Sequence, residues 1–180
     1  MSSIEVFLIA VSLSCDAFAV ALSKGLSTSK VNLKNIVIVG IYFGLFQALM
    51  PIIGYYLSKN LGIYLIRYSH LIGFIILSII GISMFTEKDE EANDLYTPKV
   101  MLPLAIGTSI DALAVGVTFS LVLDSIFHSS ILIGITTFIL SSIGVILGDK
   151  IKNSINIPAK KIGGIILLLL GLNMLFEYLS

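Results

Sequence analysis

Apolar residues fill six long stretches of the chain, and short polar segments separate them. The stretches cover residues 4–23, 36–57, 69–86, 100–123, 129–148 and 162–179. Each holds about 18–24 residues, and about 20 suffice for an α-helix to cross a hydrocarbon layer about 30 Å thick. The pattern therefore predicts an all-α membrane protein with six transmembrane helices, the first to the sixth span in chain order.

Composition supports this prediction and removes other classes of protein. Hydrophobic residues make up 57% of the chain and charged residues 12%, whereas about a quarter of the residues in a soluble domain are charged. The mean hydropathy is +1.04. The formal net charge is zero, so there is no reason to expect a nucleic-acid partner. We expect an integral protein whose first partner is the lipid bilayer.

The placement of Lys and Arg predicts the orientation of the helices. Nine of these eleven residues lie in the segments around the ends of the first, third and fifth spans, and the opposite side holds only Lys59 and Arg67. Positively charged loops are retained in the cytoplasm. Both termini of this multi-pass chain are therefore expected outside the cell.

The second half of the chain repeats the first. Residues 14–20, which read SCDAFAV, match residues 109–115, which read SIDALAV, at an offset of 95. In the second span of each half, Gly40 meets Gly134 at an offset of 94. Apolar sequence produces matches of Ile and Leu by chance, but ordered matches of Asp and Gly are much harder to obtain. The pattern therefore indicates an internal repeat.

Each repeat contains three spans, at residues 1–86 and 100–180, and an acidic cytoplasmic linker at 87–99 joins them within one membrane domain. Because three is an odd number, the second repeat is expected to insert upside down. Two inverted three-helix repeats are an architecture of many secondary transporters, which bind their substrate near the midplane between the repeats. The two-fold axis would bring Asp16 and Asp111 to similar depth, since each lies about twelve residues into its span.

These two aspartates are the main candidates for chemistry. An aspartate at the centre of a bilayer costs about 2.5–3.5 kcal/mol to insert, and such residues usually mark the path of an ion or a proton. We predict that Asp16 and Asp111 bind a divalent cation, since oxygen ligands suit Mg²⁺, Ca²⁺ or Mn²⁺. Four neighbouring side chains are secondary candidates for metal ligands: Ser12, Gln47, Thr108 and Ser109.

Several alternatives stay open at this level. The two aspartates could share a proton without binding a metal. Gln47 is either a ligand or a hydrogen-bonded fastener between helices, because a glutamine inside a membrane needs a partner. Glu87 and Glu177 match each other in the repeat and are either gate residues or acids that reach headgroup water. His70 reads as an interfacial polar residue.

Four motifs resemble one known family, the MntP family of bacterial manganese efflux pumps. They are residues 16–19 (DAFA), 23–25 (SKG), 51–54 (PIIG) and 108–116 (TSIDALAVG). The two aspartate motifs together in one six-span chain are specific, and the resemblance extends over essentially the whole chain. Asp16 and Asp111 occupy the positions of the family's motif aspartates.

The resemblance implies export of Mn²⁺ from the cytoplasm across the bacterial plasma membrane. Mn²⁺ is then the transported substrate, no prosthetic group is needed, and the chain is not an enzyme. Protons are the natural coupling ion, because carboxylates that take up protons release metal. The alternatives are an exporter of a small organic solute such as an amino acid and, less favoured, an intramembrane aspartyl protease built on the same two aspartates.

Overall fold

The structure is a computed structural model in which the chain is α-helical. It describes residues 3–28, 30–86, 96–123, 125–152 and 159–179. The predicted acidic run at 87–91 lies outside the described residues, as does the rest of the linker before residue 96. The helices are α1 (Ser3–Ser27), α2 (Leu33–Thr86), α3 (Pro98–Thr108), α4 (Ile110–Val122), α5 (Phe127–Lys152) and α6 (Ala159–Leu179).

Four helical segments of the described chain are long and apolar enough to cross a membrane: Ser3–Ser27, Leu33–Ser58, Phe127–Lys152 and Lys161–Leu179. The bent pair α3 and α4 makes a fifth if it is counted as one span. The apolar helix at His70–Ile82, within the predicted third span, is shorter than the others. The structure is thus all-helical with four to five candidate spans, which is fewer than the six that the hydrophobic pattern predicts.

The second and third predicted spans belong to one helix, α2, which is bent. Gly54 packs against the carbonyl of Leu113, and a methyl group added at Gly73 would lie 3.6 Å from the carbonyl of Gly107. A straight helix would hold Gly54 and Gly73 about 28 Å apart, at 1.5 Å per residue. Leu113 and Gly107 are only six residues apart, or about 9 Å along a helix. Between its two glycines α2 therefore turns, and we call residues 33–58 the proximal leg and residues 70–82 the distal leg.

The predicted fourth span, in contrast, is broken in its middle. The chain leaves α3 at Thr108, passes Ser109 with φ −108° and ψ 6°, and enters α4 at an angle of 43°. The hydroxyl of Thr108 donates to the carbonyl of Leu104, and the hydroxyl of Ser109 donates to that of Ala105, at 3.0 and 2.7 Å. Hydroxyls that bond back to the preceding turn bend helices. Two consecutive ones explain why the break falls here.

Glycines in each half of the chain pack against the other half, and the contacts come in pairs related by the repeat. A methyl group added at Gly40 in α2 would lie 2.8 Å from Phe138 and Ser142 in α5, and one added at Gly134 would lie 2.8 Å from Gly44 and Ala48 in α2. These are equivalent contacts, because each α2 residue and its α5 counterpart differ by 94 positions. The distal leg and α6 show the same reciprocity, now at an offset of 90. There Gly81 faces Leu168 and Gly171 faces Ser78.

At one end of the bundle, three segments meet that were all predicted to be cytoplasmic. Thr28, after α1, donates its hydroxyl hydrogen to the carbonyl of Lys24, so the bond of 2.6 Å between Thr28 and Tyr96 has the tyrosine as donor. Lys152, at the end of α5, donates to the carbonyl of Thr28 at 2.8 Å and pairs with Asp149. Burial raises the pKa of the Tyr96 phenol above its ordinary value, so the phenol keeps the proton that it donates.

Candidate cation site

Asp16 lies partly buried on α1, in a segment that packs closely against α5. Small side chains make this packing possible: Ala17 and Ala21 are fully buried, and Gly144 of α5 approaches the carbonyl of Phe18. One turn earlier, the hydroxyls of Ser14 and Thr137 lie 2.7 Å apart across the same two helices. The sequence therefore fixes α1 against α5 through small residues, and Asp16 does not take part in that interface.

Asp111 lies in the first turn of α4, directly after the break. Its Oδ1 accepts a hydrogen bond of 2.7 Å from the backbone N–H of Ala112. The first N–H groups of a helix have no partner within the helix, and the N-terminal end of a helix favours negative charge. The break thus places a helix N-terminus in the middle of the predicted span, with a carboxylate on it.

The two carboxylates lie within electrostatic range of each other. A hydrophobic cluster holds their helices together, with Ala10 and Leu13 of α1 and Ala112 of α4 among its buried members. Two aspartates about 95 positions apart in the chain are therefore brought to one place in the molecule. Like charges in a poorly hydrated site repel unless a cation or a proton lies between them.

Gln47, on the proximal leg of α2, is fully buried beside α1. Its Nε2 donates to the carbonyl of Leu13 at 3.0 Å, and its Oε1 is buried without a hydrogen-bond partner. Only the amide nitrogen can donate to a carbonyl, so this orientation of the side chain is chemically determined. Leu13 and Asp16 are three residues apart and so share one face of α1. Gln47 therefore meets α1 one turn before Asp16 in the chain.

The other predicted ligands differ in how they are placed. Thr108 and Ser109 are fully buried at the break, next to Asp111, and their hydroxyl hydrogens are directed to carbonyls of α3. Their oxygens can still accept a bond or bind a cation. Ser12 lies on an exposed face of α1. Among the residues that the structure describes, no three His, Cys, Asp or Glu side chains are arranged to hold a metal ion, so a cation here would depend on neutral oxygens as well.

Two further ionisable residues lie close to the aspartates. Sequence reasoning left one of them, Glu177, open between a gate residue and an acid that reaches headgroup water, and it placed the other, His70, at the membrane interface. Glu177 of α6 interacts electrostatically with both Asp16 and Asp111, and His70 of the distal leg interacts with Asp16. In the sequence, the match of Glu177 with Glu87 in the repeat was the signal that Glu177 could have a function. The hydrophobic pattern could not show that the ends of α6 and the distal leg reach the level of the aspartates.

Comparison with known proteins points to one family. The family model described as "Putative manganese efflux pump" matches residues 30–175. A protein of that description from Desulfitobacterium hafniense is 45% identical over 100% of this chain and 97% of its own length. A second, from Acetivibrio thermocellus, is 44% identical over 100% of this chain and 93% of its own. A third, from Methanosphaera stadtmanae, is 38% identical over 97% of this chain and 99% of its own length.

No solved structure matches the chain. The family model covers well over half of the chain, and the relatives align along nearly all of it and of themselves. The resemblance seen in the aspartate motifs is thereby confirmed, and the chain belongs to the MntP family of manganese efflux pumps.

Proposed function

We propose that this protein exports Mn²⁺ from the cytoplasm and that the ion binds between Asp16 and Asp111. The relatives are named as manganese efflux pumps, which are transporters and not enzymes. The observation that carries the site is the electrostatic proximity of two carboxylates from different halves of the chain, one of them on a helix N-terminus inside a predicted span.

The chemistry of the donors suits Mn²⁺. Two carboxylates balance the charge of one divalent ion, and the unpartnered Oε1 of Gln47 supplies a neutral oxygen close by. Hard oxygen ligands favour Mn²⁺, Mg²⁺ and Ca²⁺. In this proposal the second carboxylate oxygen of Asp111 faces the ion, while its Oδ1 stays on the Ala112 amide. The remaining coordination positions are filled by hydroxyl oxygens of Thr108 or Ser109 and by water.

The architecture that we infer for transport is a six-span bundle of two inverted repeats. The relative directions of three pairs of packed helices support this architecture. α1 and α5 run parallel, since Ser14 meets Thr137 and, farther along both helices, Phe18 meets Gly144. The proximal leg and α4 run parallel, since they cross at Gly54 and Leu113 and Tyr55 then reaches the carbonyl of Leu123 beyond the end of α4. The distal leg and α6 run antiparallel, since Gly73 meets Met174 and Gly81 meets Leu168. Six alternating crossings require these three directions. Rocking of one repeat against the other would then expose the site alternately to each side.

Export needs a source of energy. Moving a cation outward against an inside-negative potential costs about 2.3 kcal/mol per charge per 100 mV, or about 4.6 kcal/mol for Mn²⁺. Protons that enter as the metal leaves would supply it. Metal and proton compete for carboxylates in general, so proton antiport is the coupling that we propose.

The test measures the manganese content of bacteria whose own manganese exporter has been deleted and which express this chain. The wild-type chain should lower intracellular Mn²⁺ several-fold, as measured by elemental analysis after a Mn²⁺ challenge. Asp16→Asn and Asp111→Asn should each abolish this effect, because an amide removes one of the two charges that bind the ion. Asp149→Asn is the matched control, since Asp149 pairs with Lys152 at the end of the bundle, and it should export normally. Normal export by either site variant, at equal abundance in the membrane, would contradict the two-carboxylate site.

A further inference from the structure

One ionisable pair beside the aspartates has no part in the site described above. Nδ1 of His70, on the distal leg of α2, lies 3.0 Å from Oε2 of Glu177 on α6. The other carboxylate oxygen of Glu177 accepts a hydrogen bond of 3.1 Å from Nδ2 of Asn173, one turn earlier on the same helix. Both carboxylate oxygens of Glu177 are therefore contacted, and the imidazole lies within ion-pair distance of the carboxylate, although Nδ1 makes no hydrogen bond in this arrangement.

The packing of the distal leg determines where this pair lies. Gly73 packs directly against Met174 of α6, and His70 and Glu177 each lie three residues from that contact. On its other side the distal leg meets α3, because a methyl group added at Gly107 would lie 3.1 Å from Ile76. Gly107 is one turn before Asp111. The pair is thus next to the proposed cation site without sharing its ligands.

Two acidic groups act on His70 from different helices, and a third acts on its partner Glu177. Glu177 lies on α6, Asp16 on α1 interacts with the imidazole, and Asp111 on α4 interacts with Glu177. In the described part of α3 the one charged side chain is Lys99, which lies at the opposite end of that helix. The surroundings of His70 are therefore acidic. Imidazole is the side chain that ordinarily changes its charge between pH 5 and 8.

We propose that His70, held against Glu177, binds one of the protons that are exchanged for the divalent cation. This inference rests on the proposed function. With the cation site empty, the ring carries a proton and pairs with the carboxylate of Glu177. When M²⁺ enters between Asp16 and Asp111, its charge repels the imidazolium, and one proton leaves the ring for water. When a proton returns from outside, it weakens the binding of the cation, which departs outward. Mn²⁺ carries two charges outward and the proton on His70 returns one, so this proton is one of those exchanged for each cation. No covalent bond to the metal is made, and His70 never ligates the metal.

This arrangement separates the two ions in space. The proton on the imidazole competes with the metal through charge from a group that does not ligate it, and it adds to the competition of protons for the carboxylates themselves. A pair of imidazole and carboxylate suits that task because the carboxylate stabilises the protonated ring. The coupling is reciprocal, so the metal must lower proton affinity as much as the proton lowers metal affinity.

The test uses the purified full-length protein in weakly buffered detergent solution, titrated with MnCl₂ from pH 5.5 to 8. The apparent affinity of the wild type should fall by up to tenfold per pH unit on the acidic side, the slope that one linked proton gives. A pH dye should report the released proton. His70→Gln should still bind Mn²⁺, but the affinity should change far less with pH and less proton should be released. His128→Gln is the matched control, because His128 is the only other histidine and is exposed at the start of α5. It should behave as the wild type.

A second variant keeps the inference testable if His70→Gln does not fold. Glu177→Gln removes the carboxylate that stabilises the protonated ring, so the pH-dependent part of the curve should move to lower pH. Unchanged slope and proton release in His70→Gln, or an unmoved curve in Glu177→Gln, would overturn the inference while the metal site stands. If the wild type does not bind Mn²⁺, or Asp111→Asn binds it equally well, the proposed function itself fails.

Discussion

At the scale of single residues, Gln47 shows how one side chain can serve two purposes. Sequence reasoning offered a choice between a fastener and a ligand. The structure shows the fastener bond through one amide atom and leaves the other atom available for a ligand role. Nε2 ties the proximal leg of α2 to the carbonyl of Leu13, while Oε1 is buried without a partner. Leaving a buried acceptor unsatisfied costs about 1–3 kcal/mol. A bound cation or an ordered water would remove that cost.

Two substitutions of Gln47 separate its roles. Gln47→Ala removes both atoms, so the protein should lose about 1 kcal/mol of stability with the bond to Leu13, and Mn²⁺ should raise its melting temperature less than it raises that of the wild type. Gln47→Glu keeps an oxygen and adds a charge in a buried place. It should melt lower than the wild type without metal and show a larger Mn²⁺-dependent rise. Thermal unfolding in detergent with and without MnCl₂ measures both effects. Equal Mn²⁺ shifts in all three proteins would exclude Gln47 from the coordination shell.

The residues of the candidate site were accessible to sequence reasoning, but their surroundings were not. A charge in an apolar span is conspicuous, so Asp16 and Asp111 stand out without a structure, although their role as ligands is still a prediction. His70 and Glu177 lie near the ends of their apolar stretches, where polar residues are ordinary. Only the packing of the distal leg on α6 shows that they lie beside the aspartates.

At the scale of helices, the difference between the two aspartate-bearing spans is informative. α1 is continuous through Asp16, whereas the equivalent span is broken just before Asp111. The repeat aligns Leu13 with Thr108 and Ser14 with Ser109. The fourth span thus has two consecutive hydroxyls where the first has one. A hydropathy pattern cannot reveal such a break, because Thr and Ser are tolerated in spans and their effect acts through backbone hydrogen bonds.

Close packing of α2 against α4 gives a prediction at this scale. A methyl group added at Gly116 would lie 2.6 Å from the Cα of Pro51 and would also overlap the carbonyl oxygen of Pro51. Gly116→Ala should therefore push α4 away from the proximal leg, lower stability by about 1–3 kcal/mol as overpacking usually does, and reduce Mn²⁺ export. The reduction follows because α4 carries Asp111. Thermal unfolding and cellular manganese content measure the two effects.

Gly171→Ala is the control for that substitution. Its new methyl group would meet the hydroxyl of Ser78 at 3.0 Å, and that hydroxyl can rotate away. Alanine also favours a helix over glycine by about 1 kcal/mol, so this variant should be at least as stable as the wild type and should export normally. If Gly116→Ala behaved in the same way, the close approach of α2 and α4 would not position the site.

At the scale of the whole molecule, periodicity predicted the helical class and located three of the spans well. The first, fifth and sixth predicted stretches correspond to α1, α5 and α6. The second and third predicted stretches belong to one bent helix, α2. The sequence did not show this, because nothing in the apolar pattern distinguishes a helical bend from a loop. The repeat matches Gly40 with Gly134 in the sequence, but only the structure shows that these glycines pack reciprocally between α2 and α5.

The orientation in the membrane gives the last prediction. Thr28, Tyr96 and Lys152, from three segments that flank the lysine-rich connections, meet at one end of the bundle. At the other end, Tyr55 of the proximal leg donates to the carbonyl of Leu123 after α4, at 3.0 Å. Since nine of the eleven Lys and Arg residues accompany the first group, that end should face the cytoplasm.

A reporter that is active only in the cytoplasm should be active when inserted after Glu91 and inactive when fused to the C-terminus, and an externally active reporter should give the opposite result. Insertion at Tyr96 itself is avoided, because this residue is buried. The same reading at both places would mean an even number of crossings between them, which is incompatible with three spans in the second half and therefore with inverted repeats.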